Sequence, residues 1–587
     1  MHIDYLRRPV VILFFIYVSL IIFLEPFFIK KPEQEKINKS FFCGKVISYS
    51  NKRHKGFSFI LNDKNHSYIV TSNMMMDFAL YDYICVYGEA EEIDNFYKNY
   101  YRRKNIFYEI KAKDIKIIKK SNFIFRLSAS IRKKVKEIIA ENFKHDEYSI
   151  ISGIFLGEKE ELRNDLKNAI IGAGVMHLLV ASGSNISYIV LLVANFFWFL
   201  RRGSVSMALF SIIFAFIYAV MIGLDPPITR AFLMLLFVFI SHLLERNTDI
   251  IQILFLTAFI MILFNPILVY DISFIMSFVS VYGIILGYEN FGKYLYINKV
   301  DFIKNKNRFF EKLEKAIRYF LNFVISLIVV TFFAQISLMP VLLSFFYKVS
   351  LVSFISNIVL IPISFSIMII TVVFIVLHLL FNNSFFIFYF LAFLSDLFIK
   401  FCFWFSSFKY SLVYLFYPNK ITLISSVFII FLLLNFSLLK DFYIIRGFFY
   451  VCVIIFIISL GWVKRSDGVF SFSSNKVNGY LVLKNGKSYL INPVIHPDKI
   501  YGFLFSHGYS KIDFIFVTSY KGYRKNIIND ISSRFNLHVY FPLWFGFGNG
   551  IFGGDRIDIF DVRFDDIYGY FNKYSELVLC DGNICYK

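Results

Sequence analysis

The stretch Ala169–Val193, AIIGAGVMHLLVASGSNISYIVLLV, is an apolar run of membrane length with polar residues and glycines in its middle. Those positions are Gly172, Gly174, His177, Ser182, Gly183, Ser184, Asn185 and Ser187. Polar side chains at membrane depth are costly and usually face a partner or an aqueous cavity. Glycine there permits close helix contacts or unwound backbone that lines a cavity. The stretch therefore predicts a membrane segment that lines a path or a site.

Apolar runs of similar length recur along the chain, whose 587 residues are 57% hydrophobic. An α-helix needs about 20 such residues to cross about 30 Å of hydrocarbon, so the sequence predicts a polytopic α-helical membrane protein with about eleven spans. We place the spans at residues 9–29, 175–200, 205–222, 228–244, 250–268, 271–289, 320–345, 350–378, 384–410, 421–439 and 443–461.

The chain is strongly basic, with 62 Lys and Arg against 42 Asp and Glu and a net charge of +20. One explanation is the positive-inside rule together with attraction to anionic lipid, and another is a polyanionic cargo. If the N-terminal Arg7 lies inside, the crossings place Arg246 and the basic loop 289–318 on the same side. This predicts a multi-pass protein with its N-terminus inside, its C-terminus outside and both soluble segments outside.

Two segments lie outside the apolar runs. In the first, alternating stretches separated by polar turns predict a small β-barrel with strands at 42–48, 56–61, 67–72, 83–89 and 106–118. In the second, a strand pair, a buried strand and a short helix predict an α/β unit. The predicted divisions are a membrane anchor at 1–30, a barrel at 31–125, a membrane domain at 149–462 and an α/β domain at 463–587.

Two cysteine pairs fall in these soluble segments. Cys43 and Cys85 share the barrel, and Cys580 and Cys585 bracket a turn near the C-terminus. Either pair is a candidate disulfide if its segment faces an oxidising exterior. Free buried cysteine explains the sequence equally well.

The polar cluster allows two local structures. His177 and Asn185 share one face if a single helix continues through them. Alternatively, Gly183 breaks the segment into two half-helices, whose N-terminal ends suit phosphate. Interhelical hydrogen bonding is the structural alternative for each polar residue here. Arg230, which follows a Pro-Pro pair at a predicted helix start, is either a site residue or a snorkelling interfacial arginine.

The stretch 174–186, GVMHLLVASGSNI, resembles the G-x-x-HLLAISGLHV pattern of the ComEC-type competence proteins, the inner-membrane DNA-uptake channels of transformable bacteria. Further matches follow in the family's order, namely PITRA at 227–231, SFIMSF at 273–278, Ala334-Gln335 with Pro340, and residues 357–362. The chain departs from the pattern at Asn185, where the family has a second His, and at Ile275, where it has Gln. Order and spacing agree over about residues 149–370, which is stronger than any single motif.

The resemblance implies a channel that moves single-stranded DNA through the cytoplasmic membrane during natural transformation. It also implies a DNA receptor outside and an ATP-driven motor inside, docked on loop 289–318, and it allows a homo-oligomer in the membrane lipid. The implied DNA path consists of His177, Ser182, Gly183, Ser184, Asn185, Arg230, Gln335 and Asn357. For Gln335 and Asn357, packing between helices is the alternative.

The resemblance further implies that the N-terminal barrel is OB-like. OB folds bind single strands through basic grooves and stacking aromatic side chains. Residues 39–120 hold 15 Lys and Arg against 9 Asp and Glu. The candidate DNA contacts are Lys52, Arg53, Lys55, Arg102, Arg103 and Lys104. A merely solvated basic surface is the alternative explanation.

The segment 463–587 resembles the family's metallo-β-lactamase-like domain, which in active members carries T-H-x-H-x-D-H after a strand. Here the stretch is 518–524, TSYKGYR, in which every metal-ligand position has lost its donor group. The resemblance therefore implies a degenerate domain without metal, cofactor or catalytic activity. Its Lys521 and Arg524 are candidates for holding DNA, and packing against the membrane domain is the alternative.

Three other functions stay open from the sequence. One is transport of another anionic substrate or of an envelope polymer, and another is a drifted paralogue without an uptake role. The third is a membrane-embedded enzyme that uses His177 and Ser182. It needs a base and an orienting carboxylate, for which Asp225 and Asp271 are the only nearby candidates.

Overall fold

The computed structural model describes most of the chain. The described residues are 9–25, 41–53, 56–63, 66–73, 77–93, 100–159, 161–180, 182–201, 204–246, 249–292, 308–346, 348–381, 385–408, 411–414, 420–435, 443–460, 467–474, 477–484, 486–493, 497–509, 511–516, 527–528, 531–532, 539–540, 562–564, 567–571, 577–581 and 584–586. The chain forms two compact units, the first made of 1–341, 348–413 and 427–451 and the second of 342–347, 414–426 and 452–587.

The N-terminal segment is a closed five-stranded barrel with one added hairpin strand. Its strands are β1 (Phe41–Val46), β2 (Asn51–Arg53), β3 (Gly56–Asp63), β4 (His66–Ser72), β5 (Tyr83–Glu92) and β6 (Ile106–Lys119). The order β1-β5-β6-β4-β3 closes because β1 also pairs with β3, and β2 adds to β3. The pairing of β4 with β6 is parallel and the others are antiparallel. This is the strand order of an OB fold, so the predicted barrel is confirmed.

The barrel forms because its strands alternate between inward apolar and outward polar positions. In β1, Phe42 and Val46 are buried, whereas Lys45 is exposed. Residues from all five barrel strands meet in one core that includes Val46, Leu61, Val70, Ile84 and Ile110. Cys43 and Cys85 are partners in the β1–β5 register and are joined by a disulfide.

Helices make up the rest of the first unit and continue into the second. They are α1 (Pro9–Phe23), α2 (Phe123–Asn142), α3 (His145–Leu156), α4 (Asn164–Gly172), α5 (Gly183–Phe199), α6 (Ser204–Ile222), α7 (Pro226–Leu243), α8 (Ile250–Phe264), α9 (Ile272–Gly287), α10 (Arg308–Phe345), α11 (Ser353–Phe381), α12 (Phe385–Ser406), α13 (Lys420–Leu434) and α14 (Tyr443–Leu460). Short 3₁₀ turns lie at Met176–Leu178 and Pro266–Tyr270, a π-helical turn at Tyr288–Gly292, and two-residue strands at β7 (Lys348–Val349) and β8 (Val413–Tyr414).

Several of these helices have the length and composition of membrane spans. Among the described residues, six are long and apolar enough to cross a bilayer, namely Val205–Ile222, Pro226–Leu243, Ile272–Phe291, Lys315–Phe345, Ser353–Phe381 and Phe386–Ser406. Shorter apolar helices lie at Pro9–Phe23, Gly183–Phe199, Ile250–Phe264, Ile421–Leu434 and Ile445–Ile458. The protein is therefore a helical membrane protein, and the number of about eleven spans stays a prediction.

Within the predicted span at 175–200, α5 begins only at Gly183. The backbone of Ser182 is extended, with φ −119° and ψ 160°, which places this serine at the N-cap of α5. Serine is a preferred N-cap residue. Gly183, which follows it, has no side chain and so allows other atoms to come close to the backbone at the start of α5. The alternative with a break before Gly183 is the one that the structure shows.

The C-terminal segment is a mixed α/β unit, as its pattern predicts. Its elements are β9 (Gly468–Ser474), β10 (Val477–Lys484), β11 (Lys487–Ile491), α15 (Pro497–Ser506), β12 (Phe514–Phe516), β13 (Val539–Tyr540), β14 (Val562–Phe564), β15 (Ile567–Phe571), β16 (Leu577–Asp581) and β17 (Ile584–Tyr586). The first sheet has the order β13-β12-β11-β10-β9, antiparallel over β9–β11 and parallel from β11 to β13. The second is antiparallel, and its β16–β17 register opposes Cys580 and Cys585, whose side chains lie outside the described part of the chain.

Candidate functional site

The motif segment changes direction twice around its glycines. α4 ends in a left-handed turn at Gly174, whose φ is +76°. The amide of Val175 donates to the carbonyl of Ile170 at 3.1 Å, which closes the helix end. A Cβ on Gly174 would lie 2.6 Å from the Cβ of Ser353, so this turn is in close contact with the start of α11. Glycine is required there on both counts.

Serines at and just before the start of α11 complete the end of α4. The Oγ of Ser350 donates to the carbonyl of Gly172 at 2.9 Å, and the Oγ of Ser356 donates to the carbonyl of Ala173 at 2.6 Å. The last carbonyls of a helix have no intrahelical partner and need such donors. Sequence patterns do not single out these serines, because isolated serines in apolar helices form no motif.

Arg230 is a buried cation beside the start of α5. It lies one turn into α7, which begins at the predicted Pro-Pro pair, and it is 8% exposed. Its Nη1 donates to the carbonyl of Ser277, and its Nη2 lies 2.6 Å from the position that a Cβ on Gly183 would occupy. Its Nε has no acceptor, and no carboxylate within the described residues pairs with it.

Two sources of positive potential therefore meet at one point. The amides of Gly183 and Ser184 are the first of α5, so they lack intrahelical acceptors and form the positive end of the helix dipole. The hydroxyl of Ser277 is also buried and has no partner among the described residues. A buried charge without a counter-ion is costly. The arrangement is suited to an anion that supplies the missing acceptors.

The side chain of Asn185 is engaged in hydrogen bonds within the protein in this conformation. It is 3% exposed, and its Nδ2 donates to the carbonyl of Ile154 at 3.0 Å, near the end of α3. Its Oδ1 accepts from the Oγ of Ser182 at 3.0 Å, and that oxygen lies 2.6 Å from the Oγ of Ser184. Ser182 and Ser184 are half-buried. The structure thus gives Asn185 the interhelical role that the sequence left open as its alternative.

His177 lies on the 3₁₀ turn that precedes the break. Its side chain is exposed, although Val175 and Leu179 on either side are fully buried. Because the helix does not run through the turn, His177 and Asn185 do not share one helix face, and of the two alternatives the broken segment is the one observed.

Gln335 and Asn357 belong to the contact between α10 and α11. The Nε2 of Gln335 donates to the Oγ of Ser353, which links α10 to the serines around the α4 end. The Nδ2 of Asn357 donates to Thr331 at 3.3 Å, while its buried Oδ1 has no donor among the described residues. The predicted path residues therefore form separate groups, with Gln335 and Asn357 between α10 and α11. The group at the start of α5 consists of Ser182, Gly183, Ser184, Asn185 and Arg230.

Lys104 of the barrel is held by a carboxylate of the membrane helices. Its Nζ lies 3.4 Å from Asp271 and 5.2 Å from the ring of Tyr100. Asp271 also caps α9, accepting from the amide of Ser273 at 2.7 Å. Burial acts to lower the pKa of Lys104, but Tyr100, Asp271 and Asp225 outweigh burial and raise it. Lys104 therefore belongs to the junction between barrel and membrane helices, and its contact with DNA stays a prediction.

The other predicted DNA contacts have varied surroundings. Arg102 is exposed, and Arg103 is half-buried and engaged in an interaction. The side chains of Lys52 and Arg53 lie outside the described residues, as do Lys55, Lys521 and Arg524.

Arg132 of α2 joins several segments of the protein, although no sequence pattern indicates this role. Its Nη1 donates to the carbonyl of Met221 at 2.9 Å and to that of Leu156 at 3.4 Å, at the ends of α6 and α3. Its Nη2 pairs with Glu158 at 2.8 Å, and the guanidinium carbon lies 4.5 Å from the ring of Tyr49 in the barrel. A basic run in an amphipathic pattern normally indicates a solvated face, which hides such a contact.

Comparison with known proteins relates the membrane segment to the same family that its sequence motifs resemble. The family model described as Competence protein matches residues 154–440. ComE operon protein 3 of Bacillus subtilis (strain 168) is 22% identical over 270 residues, covering 45% of this chain and 31% of that protein. An uncharacterized protein of Aquifex aeolicus (strain VF5) is 28% identical over 169 residues, covering 27% of this chain and 39% of that protein.

The chain therefore spans less than half the length of these curated relatives. No solved structure matches it. The family match covers the broken helix, Arg230 and the serines of α11, which are the groups that form the candidate site. Through residues 154–440, this chain belongs to the competence protein family.

Proposed function

We propose that this protein conducts single-stranded DNA across the cytoplasmic membrane during natural transformation. The observation that carries the proposal is the buried guanidinium of Arg230 beside the first amides of α5, with no carboxylate partner among the described residues. A phosphodiester backbone supplies a series of anions that match such a site in turn. Membership in the competence family supports the same role.

In this mechanism, the strand passes the start of α5. Arg230 and the amides of Gly183 and Ser184 bind successive phosphates weakly enough to release them, as conduction requires. The exposed His177 and the half-buried Ser182 add hydrogen-bonding groups along the same segment. No nucleotide-binding loop is recognisable in the sequence, so the energy comes from an ATP-driven motor inside, docked on loop 289–318.

The barrel lies outside the cell in this proposal and captures the strand from a DNA receptor. The disulfide between Cys43 and Cys85 supports that side, since disulfides persist in oxidising compartments. Placing the N-terminus inside and the C-terminus outside satisfies the positive-inside rule.

The C-terminal unit completes the proposal as a degenerate metallo-β-lactamase-like domain. Along the chain, three antiparallel strands come first, then a helix, and then two strands that join the same sheet in parallel. This order supports the resemblance. The stretch 518–524, after β12, has lost its metal-ligand groups. We therefore propose that this protein is not an enzyme and that Lys521 and Arg524 hold DNA.

Deletion of the gene tests the proposed function. Internalised labelled DNA should be lost while DNA bound at the cell surface persists, and the wild-type gene should restore uptake. Undiminished internalisation in the deletion strain would refute the proposal. If such a strain instead accumulated an anionic polymer or its precursor, the protein would be a transporter of that substrate.

A further inference from the structure

We propose that α2 is an interfacial helix whose exposed apolar face inserts into the headgroup layer of an anionic bilayer. The α2 apolar face consists of Phe123, Ile124, Leu127 and Ile131. The first of these is 74% exposed and the others are 36–48% exposed. Phe123, Leu127 and Ile131 are spaced by four residues, so they form a row on one side of the helix.

The opposite sides of α2 are already covered by protein. Phe125 and Ala129 pack with Tyr49 of the barrel and Val220 of α6. Arg132 and Val135 are buried. The apolar face is thus a side of the first half of α2 that the protein leaves exposed, and single exposed apolar residues do not usually line up in this way.

The position of α2 places this face at the membrane boundary. α6 is one of the helices long enough to span the bilayer, and it ends at Ile222. Arg132 donates to the carbonyls of Met221 and Ile222 at 2.9 and 3.4 Å, so α2 lies across the end of that span. A helix at this depth meets headgroups and the upper acyl region, where interfacial helices bury apolar side chains.

The charges around the face select an anionic surface. Residues 115–136 contain no Asp or Glu and include eight Lys and Arg. Four of these cations are paired with carboxylates, for example Lys133 with Asp77 at 2.5 Å and Lys136 with Glu158 at 2.9 Å. The other four are exposed and have no carboxylate partner among the described residues, namely Lys119, Lys120, Arg126 and Lys134. Each such cation near an anionic surface contributes about fivefold to binding.

The inference predicts a lipid-dependent environment at Leu127. The full chain carries Leu127→Cys labelled with an environment-sensitive fluorophore, in a background with Ser at Cys402, Cys452, Cys580 and Cys585. It is reconstituted in vesicles of phosphatidylcholine, with or without phosphatidylglycerol. The emission should shift to the blue, and lipid-borne quenchers should reach the label, only with phosphatidylglycerol. A control label at Lys113→Cys, on the exposed side of β6, should not shift.

The four free cations supply the matched comparison. Changing Lys119, Lys120, Arg126 and Lys134 to Gln should abolish the effect of phosphatidylglycerol. Changing the paired Lys111 and Lys113 to Gln should leave it intact. Raising the salt concentration should also abolish the effect of phosphatidylglycerol on the labelled protein that keeps all four cations. This measurement tests the inference even if the fourfold variant misfolds. A label that stays water-exposed with phosphatidylglycerol would overturn the inference and leave a protein partner as the occupant of this face. An equal shift in both lipids would overturn the selection of an anionic surface.

Discussion

At the scale of single residues, the polar groups of the motif segment divide by whether the protein satisfies them. Asn185, Ser350 and Ser356 bond to carbonyls at helix ends, as buried polar groups normally do. Among the described residues, the guanidinium of Arg230 has the carbonyl of Ser277 and the ring of Phe278 beside it, but no carboxylate to balance its charge. A buried charge without a counter-ion points to a ligand site rather than to packing.

Arg230→Gln should lower DNA internalisation about tenfold or more, since a hydrogen bond to a charged group contributes about 1.5–3 kcal/mol. Arg230→Lys should retain part of the activity, because it keeps the charge but loses the planar fork. Internalised labelled DNA is measured at equal membrane levels of protein, with the exposed Arg246→Gln as the control. Full uptake by Arg230→Gln would remove this residue from the path.

Asn185→Ala should act on stability and not on conduction. It leaves the buried carbonyl of Ile154 without a donor, which costs about 1–3 kcal/mol. Thermal unfolding in detergent measures the loss. Asn195→Ala, which removes an exposed bond to the carbonyl of Leu191 in the same helix, is the control and should change little. Unchanged stability with reduced uptake would instead make Asn185 a path residue.

At the scale of elements, the break between α4 and α5 depends on backbone that side chains cannot adopt freely. Gly174 holds a positive φ against Ser353, and Gly183 faces the guanidinium of Arg230. The break exposes the amides at the start of α5, which a continuous helix would have used internally. The site therefore exists because this helix is interrupted.

Gly174→Ala should destabilise the protein by about 1–2 kcal/mol from backbone strain, with more from the contact with Ser353. Gly447→Ala in α14 should have the opposite sign, a gain of about 0.5–1 kcal/mol, because no atom lies within 4 Å of the new Cβ. Unfolding temperatures of the two variants in the same detergent give the comparison. Equal shifts would contradict the assigned turn.

The junction between barrel and α9 can be tested by a double-mutant cycle on Lys104 and Asp271. Asp271→Asn removes the charge but keeps a good N-cap for α9, so the cycle reports the ion pair alone. A coupling energy of about 0.5–3 kcal/mol is expected for Lys104→Met and Asp271→Asn, from unfolding of the single and double variants. Additive effects would show that the pair at 3.4 Å contributes nothing.

At the scale of the whole molecule, the proposed orientation rests on the distribution of charge and on the disulfide. The barrel carries the bond between Cys43 and Cys85, and the basic loop 289–318 lies on the opposite side in the predicted arrangement. Membrane-impermeant maleimide should label Lys113→Cys in intact cells, and Lys299→Cys in that loop only after permeabilisation. Cys43 and Cys85 should react only after reduction. The reverse labelling pattern would invert the proposed direction of transport.

Local patterns predicted the barrel strands and most helices, because burial with period 2 or an apolar run of membrane length is written in neighbouring residues. They also predicted the start of α7 at the Pro-Pro pair before Arg230. They left open whether one helix continues through 175–200 or breaks at Gly183, and in the structure the helix begins only there. Apolar composition carries no information about such a break.

By itself, the sequence determined the kinds of element and their order, since these depend on residues close together in the chain. Only the tertiary structure decided which polar groups are satisfied and which are not. Arg132 is paired with Glu158 and with carbonyls from two helix ends, whereas Arg230, as deeply buried, has no carboxylate in the described structure. The two arginines differ in their partners from distant segments, and such partners are set by packing between helices rather than by any local pattern.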